Sequence, residues 1–188
     1  MLFVTGHFGY WELQALVHGL RLQPMSVMAR ALDNPLLHDL LERMRTRTGN
    51  GVIYRQGTLR RALRLLQAGG SVGILIDQSL SSGLLVDFFG RPAGTTTLPA
   101  LLHMRTGAPV VMTYTLREAD RFRHVFRPVV FPPVSEDADR ILIYTKTINT
   151  LFEDLIRRYP ENWFWVHNRW KRDESFPETA TAPSQSAL

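Results

Sequence analysis

Residues 2–20, LFVTGHFGYWELQALVHGL, change their apolar period half-way along. Leu2 to Thr5 form a short apolar run with no helical spacing, which reads as a buried strand. From Tyr10 to Leu20 the apolar positions Leu13, Leu16, Val17 and Leu20 recur at helical spacing. Gly6 and Gly9 supply the freedom that a tight strand-to-helix turn needs, and His7 stands between them. Further along, the same alternation recurs. MSVMAR (25–30) reads as a strand, and Asn34-Pro35 opens a helix with Leu37, Leu40, Leu41 and Met44 on one stripe, closing near Gly49. GVIY (51–54) is short and strand-like, 58–68 is helical before Gly69-Gly70, and SVGILI (71–76) is the clearest buried strand. A loop with a short aromatic segment, VDFF, is expected over 78–95, followed by a helix over 97–106. Two strands, 108–118 and 123–131, are joined by a polar turn at Ala119-Asp120, and the longest helix, 141–158, is stopped by Pro160. Strands alternating with helices predict an α/β fold with a largely parallel mixed sheet flanked by helices, antiparallel at one edge. One domain is expected over 1–172, with a disordered Ser-, Thr-, Pro- and Ala-rich tail over 173–188.

Composition narrows the chemistry. At 188 residues and 45% hydrophobic, the chain is long enough to bury a real core. No run approaches the ~20 apolar residues of a membrane span, and no basic region precedes the first apolar segment as in a secretory signal. With no cysteine, disulfides, thiolate nucleophiles and zinc-thiolate sites are excluded. His18, His38, His103 and His124 lack metal-ligand spacing. The formal charge is +5, and Lys146 and Lys171 are the only lysines. Arginine's planar fork suits phosphate and carboxylate, so the surface favours anionic partners: phospholipid headgroups, an acidic carrier or nucleic acid. Arg60, Arg61 and Arg64 read as a solvated helix face that could dock such a carrier.

His7 and Glu12 lie at i, i+5, which on one continuous helix separates them by about 140°. They meet only if His7 sits in the turn and Glu12 in the first helical turn. The expectation is then a neutral imidazole whose tautomer is fixed by Glu12, a base with an orienting acid and no protein nucleophile beside it. Such a pair would activate a substrate hydroxyl. His7, Arg30 and Asp77 each follow a predicted strand, and ligands of open α/β sheets bind beyond the carboxyl ends of the strands. If those strands are parallel neighbours, the three converge on one crevice.

HFGYWE (7–12) resembles the H-x-x-x-x-[D/E] signature of glycerolipid acyltransferases. RALDNP (30–35), RMRTRTG (43–49), IDQS (76–79), VDFFGRPAGTTT (86–97) and YPENWFWVHNRWK (159–171) resemble, in order, further segments of the late acyltransferases of lipid A biosynthesis, the lauroyl/myristoyl transferase family. The resemblance covers roughly residues 2–171, with Asn162 and Asn168 departing from the family's glutamine and arginine.

That resemblance implies a glycerolipid acyltransferase-like fold. It also implies transfer of an acyl chain from a thioester, on acyl carrier protein or coenzyme A, to a hydroxyl of a glycolipid. His7 would be the base and Glu12 its support, with Arg30 or the backbone N–H groups near Gly9 meeting the oxyanion. Arg30, Asn34, Arg45, Asp77, Gln78, Phe88, Phe89, Gly90, Arg91, His167 and Arg169 would contact substrate, Arg169 through a phosphate. No metal or cofactor is implied. Family members carry a membrane-anchoring helix ahead of the histidine motif, so the expectation here is an N-terminally truncated form, peripheral on the cytoplasmic face of the bacterial inner membrane. Other acceptors, a phosphatidylinositol mannoside or a lysolipid, fit the same motifs. A different class, a non-catalytic basic module binding nucleic acid or anionic lipid, is set against these; the leading reading expects no nucleic acid.

Overall fold

The computed structural model describes residues 1–54, 57–135 and 137–171, so the expected tail over 173–188 lies outside the described residues. In chain order the elements are β1 (Leu2–Thr5), α1 (Trp11–Arg21), β2 (Ser26–Met28), α2 (Pro35–Thr46), β3 (Gly51–Ile53), α3 (Thr58–Gln67) and β4 (Val72–Leu75). There follow β5 (Leu84–Phe88), β6 (Arg91–Thr95), α4 (Leu98–Thr106), β7 (Val110–Glu118), β8 (Arg121–Pro128), α5 (Asp137–Arg158) and a 3₁₀ turn, Pro160–Asn162. Six strands form one sheet in the order β3-β2-β4-β1-β7-β8. All pairings are parallel except β7 with β8, which are antiparallel across the turn at Ala119-Asp120. The expected α/β fold, with its largely parallel mixed sheet and one antiparallel edge, is thus the one observed.

β1 reads as uninterrupted apolar sequence because it is central, with Leu2, Phe3 and Val4 all buried. Alternate residues divide between two faces. Leu2, Val4, Val72, Ile74, Val110 and Met112 join Leu102 of α4 and Phe152, Leu155 and Ile156 of α5 in the main core. On the other face, under α1, Phe3, Met25 and Val111 make a much smaller cluster with Val27 packed against it. The α1 side is therefore thinly filled, and a cavity remains there.

Several boundaries differ from the sequence reading, among them β8, which spans Arg121–Pro128 instead of 123–131. β2 ends at Met28, so Arg30 lies on the loop beyond the strand. α5 begins at Asp137 rather than at 141. The segment expected as a loop contains a two-stranded hairpin, β5–β6, whose connecting residues Phe89 and Gly90 both have positive φ, 56° and 75°. That backbone suits a two-residue hairpin turn, but Phe-Gly is not a pair that announces one, and Pro92 and Gly94 disguise β6. Among the described residues, no helix is long and apolar enough to cross a membrane.

Candidate active site

The site begins with a register. β1 and β4 pair in parallel with Thr5 opposite Leu75, so the residues two positions beyond each strand, His7 and Asp77, emerge side by side. The His7 Nδ1 lies 2.9 Å from Asp77 Oδ1, and the His7 backbone N–H donates to Asp77 Oδ2 at 2.8 Å. The Trp163 indole N–H also donates to Oδ2, at 3.0 Å. Asp77 is thus buried and held by three donors. Burial would raise its carboxyl, but the His7 ring and its charge, the Trp163 indole and the His7 amide outweigh that, and the group is held below its ordinary range. An ionised Asp77 accepts from Nδ1–H and so leaves Nε2 of His7 with the lone pair. Among the described residues Nε2 has no hydrogen-bond partner, and the ring is 19% exposed.

The turn is built for this approach. A Cβ on Gly6 would lie 2.1 Å from the Phe152 ring and 2.9 Å from Asp77 Cγ, so the residue before His7 must be glycine for closeness rather than for its dihedral angle. Gly9 has φ +55°, and a Cβ there would strike the Thr115 carbonyl oxygen at 2.1 Å. The C-terminal segment locks the turn from outside: Phe164 N–H donates to the His7 carbonyl at 2.9 Å and Gly9 N–H to that of Asn162 at 2.7 Å. The rings of Trp11 and Phe164 flank the imidazole at 5.3 and 6.4 Å.

Glu12 is not the acid on His7. Its carboxylate takes a two-point contact from Arg45 of α2, one arm being Nε to Oε2 at 3.0 Å. The reason is topological: Glu12 starts α1, which crosses toward α2, whereas His7 remains over the β1–β4 junction. The backbone N–H groups near Gly9 are likewise spent, since Gly9 donates to Asn162 and Tyr10 to Thr115.

Two spaces meet beside this group. A cleft of ≈ 690 Å³ is lined by His7, Arg30, Arg45 and Gln78, with Met28, Leu32, Leu41, Ile53 and Leu75 among its apolar walls. A narrow apolar cavity continues beneath α1, between Trp11, Gln14 and Ala15 above and Phe3, Met25, Val27 and Gly73 on the sheet. Met28, Arg45 and Leu75 line both, so the Glu12–Arg45 pair stands where they join. Arg30 is exposed at the rim, 3.6 Å from Asp33.

The remaining expected contacts fall elsewhere. Asn34 caps α2, accepting from the Leu36 and Leu37 amides at 3.0 and 3.2 Å, and does not line the cleft. Phe88 is buried among Phe152, Trp163 and Trp170, and Phe89, Gly90 and Arg91 form the hairpin end, with Arg91 over the Trp170 ring at 5.2 Å. Arg169 is 1% exposed; it donates to the Gly94 carbonyl at 2.7 Å and the Thr95 hydroxyl at 2.6 Å. Its forked cation ties the hairpin to the C-terminal segment instead of meeting a phosphate. His167 accepts from the Ser79 N–H at Nε2, 3.0 Å, and burial, followed by the Lys171 charge, lowers its imidazole accordingly. Trp163, outside the residues expected at the site, carries the indole that fixes Asp77; a buried indole needs an acceptor, and that is the signal that could have revealed it.

The chain is similar to known proteins along most of its length. The family described as bacterial lipid A biosynthesis acyltransferase matches residues 1–172. The lipid A biosynthesis palmitoleoyltransferase of Escherichia coli (strain K12) is 28% identical over 177 residues, covering 91% of this chain and 56% of the relative. The lauroyltransferase of the same organism is 28% identical over 183 residues, covering 94% and 58%, and a lipid A biosynthesis acyltransferase of Shigella flexneri is 28% identical over 177 residues. The chain spans a little over half the length of these relatives. Since the family match spans residues 1–172, the chain belongs to the bacterial lipid A biosynthesis acyltransferase family.

Proposed function

We propose that this chain transfers a fatty acyl group from a thioester, on acyl carrier protein or coenzyme A, to a hydroxyl of a lipid A precursor at the surface of the inner membrane. The observation that carries the reading is the His7–Asp77 pair, with Nε2 unpartnered in a cleft that joins an apolar cavity. The acyl chain enters the cavity beneath α1, and the glycolipid occupies the cleft with a phosphate near Arg30. His7 Nε2 accepts the acceptor's hydroxyl proton as the oxygen attacks the thioester carbonyl. Asp77 stabilises the imidazolium without itself taking the proton. The Arg45 guanidinium and Gln78 amide line the cleft and supply donors for the oxyanion. Collapse breaks the C–S bond, and the thiolate leaves with the proton returned by His7; ester and free thiol are the products. Glu12 acts through Arg45, holding the guanidinium at the junction of the two spaces.

The test is mass spectrometry of products from purified protein, acyl thioester and lipid A precursor. Wild type adds one acyl chain, and His7→Ala lowers the rate by about 10²–10⁴-fold, the range of general-base catalysis, while circular dichroism shows that it still folds. Product formation by His7→Ala at the wild-type rate, or none by wild type, overturns the reading.

A further inference from the structure

α2 is built inside out. Its side toward the protein is polar: Arg45 bonds Glu12, and His38 lies 3.7 Å from Glu42 with its ring 5.2 Å from that of Tyr54. Its outer side carries Leu36, Leu37, Leu40 and Met44, which are 78%, 54%, 56% and 48% exposed, and no residue of the helix is buried. Leu36, Leu40 and Met44 follow at i, i+4 and i+8, one above another. Arg43 and Arg47, both exposed, border the stripe, and exposed Asp39 lies one turn before Arg43 on the same flank. Gly19 of α1 packs against Thr48 just past α2, which brings exposed Leu20, Arg21 and Leu22 to the same end. Exposed apolar stripes of this kind on a folded domain mark an interface.

We propose that the outer face of α2, extended by the end of α1, seats on an anionic lipid bilayer. Charge complementarity selects that occupant. Arg21, Arg43 and Arg47 lie along one edge and the end of this leucine face and outnumber Asp39, the pattern of an interfacial helix whose leucines enter the acyl region while its arginines meet lipid phosphates. The same helix walls the cleft with Leu41 and Arg45, and Leu32 in the loop before it is both exposed and a cleft residue. A lipid rising from the bilayer beside α2 therefore meets the cleft directly. The entry route rests on the acyl-transfer reading; the bilayer contact stands without it.

The experiment is co-sedimentation of the 188-residue protein with vesicles of phosphatidylethanolamine and phosphatidylglycerol, and with phosphatidylcholine alone. Wild type binds the anionic vesicles at least tenfold more tightly than the neutral ones. Leu36→Glu/Leu40→Glu loses at least tenfold in binding, and each of Arg43→Gln and Arg47→Gln about fivefold, the share of one surface cation. Val130→Glu, at an 81% exposed valine away from the helix, binds as wild type. Far-ultraviolet circular dichroism and melting confirm that each variant folds. Equal binding by Leu36→Glu/Leu40→Glu, equal loss by Val130→Glu, no binding by wild type, or a light-scattering dimer abolished by Leu36→Glu/Leu40→Glu each overturns the proposal. Activity on a detergent-dispersed acceptor separates the two readings: vesicle binding without acyl transfer defeats the enzyme while leaving this surface intact.

Discussion

At Asp77, shape and charge do different jobs, and a single substitution separates them. Asp77→Asn keeps the volume, but an amide facing Nδ1 forces the proton onto Nε2 and removes the base. Where an orienting carboxylate is so replaced in serine proteases the loss is about 10⁴ in kcat, and the same tautomer argument predicts a fall of about 10³–10⁴ here with KM little changed, read from initial rates. Trp163→Phe removes one charge-assisted hydrogen bond from the same carboxylate and should cost roughly 1.5–3 kcal/mol of stability by urea denaturation, with a smaller loss of rate. The candidacy of His7 is legible in the sequence because a histidine between two glycines at a strand end is a local pattern. Its partner is not legible there, because Asp77 lies 70 residues away and becomes adjacent only through the Thr5–Leu75 register. Glu12, five residues off, is the nearer acid in sequence, but the helix it begins carries it to Arg45.

At the scale of the element, β4 decides what the cavity can hold. Gly73 sits between Phe3 of β1 and Val27 of β2 in the sheet register and forms part of the cavity floor. A Cβ there would already lie 3.0 Å from Met25 Sδ and 3.4 Å from Val27 Cγ1. Gly73→Val should therefore shorten the preferred donor by two or more carbons, read by competing C8 to C16 thioesters, and an unchanged preference would place the acyl chain elsewhere. Gly73 stands inside the best strand signal of the sequence, SVGILI, yet nothing local distinguishes a cavity floor from a packed strand. The β5–β6 hairpin shows the converse. Its residues read as loop, and it becomes sheet because Arg169, Asn149 and Trp170 bond its backbone from outside. Local propensity loses there to tertiary hydrogen bonds.

For the whole molecule, acid stability records what is buried. His18 is 3% exposed with neither ring nitrogen partnered among the described residues; burial, and then His124, lowers its pKa, and burial lowers that of His124. The unfolded chain therefore binds protons first as the pH falls past about 6.5, so stability is complete above that value and declines below it. Asp77 works in a lower window: its depressed pKa contributes stability above about 4 that is lost as the pH falls further. Urea unfolding from pH 8 to pH 3 should show both declines, with His18→Leu flattening the first and Asp77→Asn the second. A pH-independent midpoint between 7 and 5 would contradict the burial of the histidines. By itself the sequence determined the alternation of strands and helices, the antiparallel edge, the turn that bears His7 and the family resemblance, because each is written in spacing over a few residues. Only the tertiary structure decided which acid bonds His7, that Arg169 bonds the hairpin, where the cavity lies and which face of α2 is left bare. Each of these depends on residues that the sheet order makes neighbours, and strand order is a global balance of packing that no local stretch encodes.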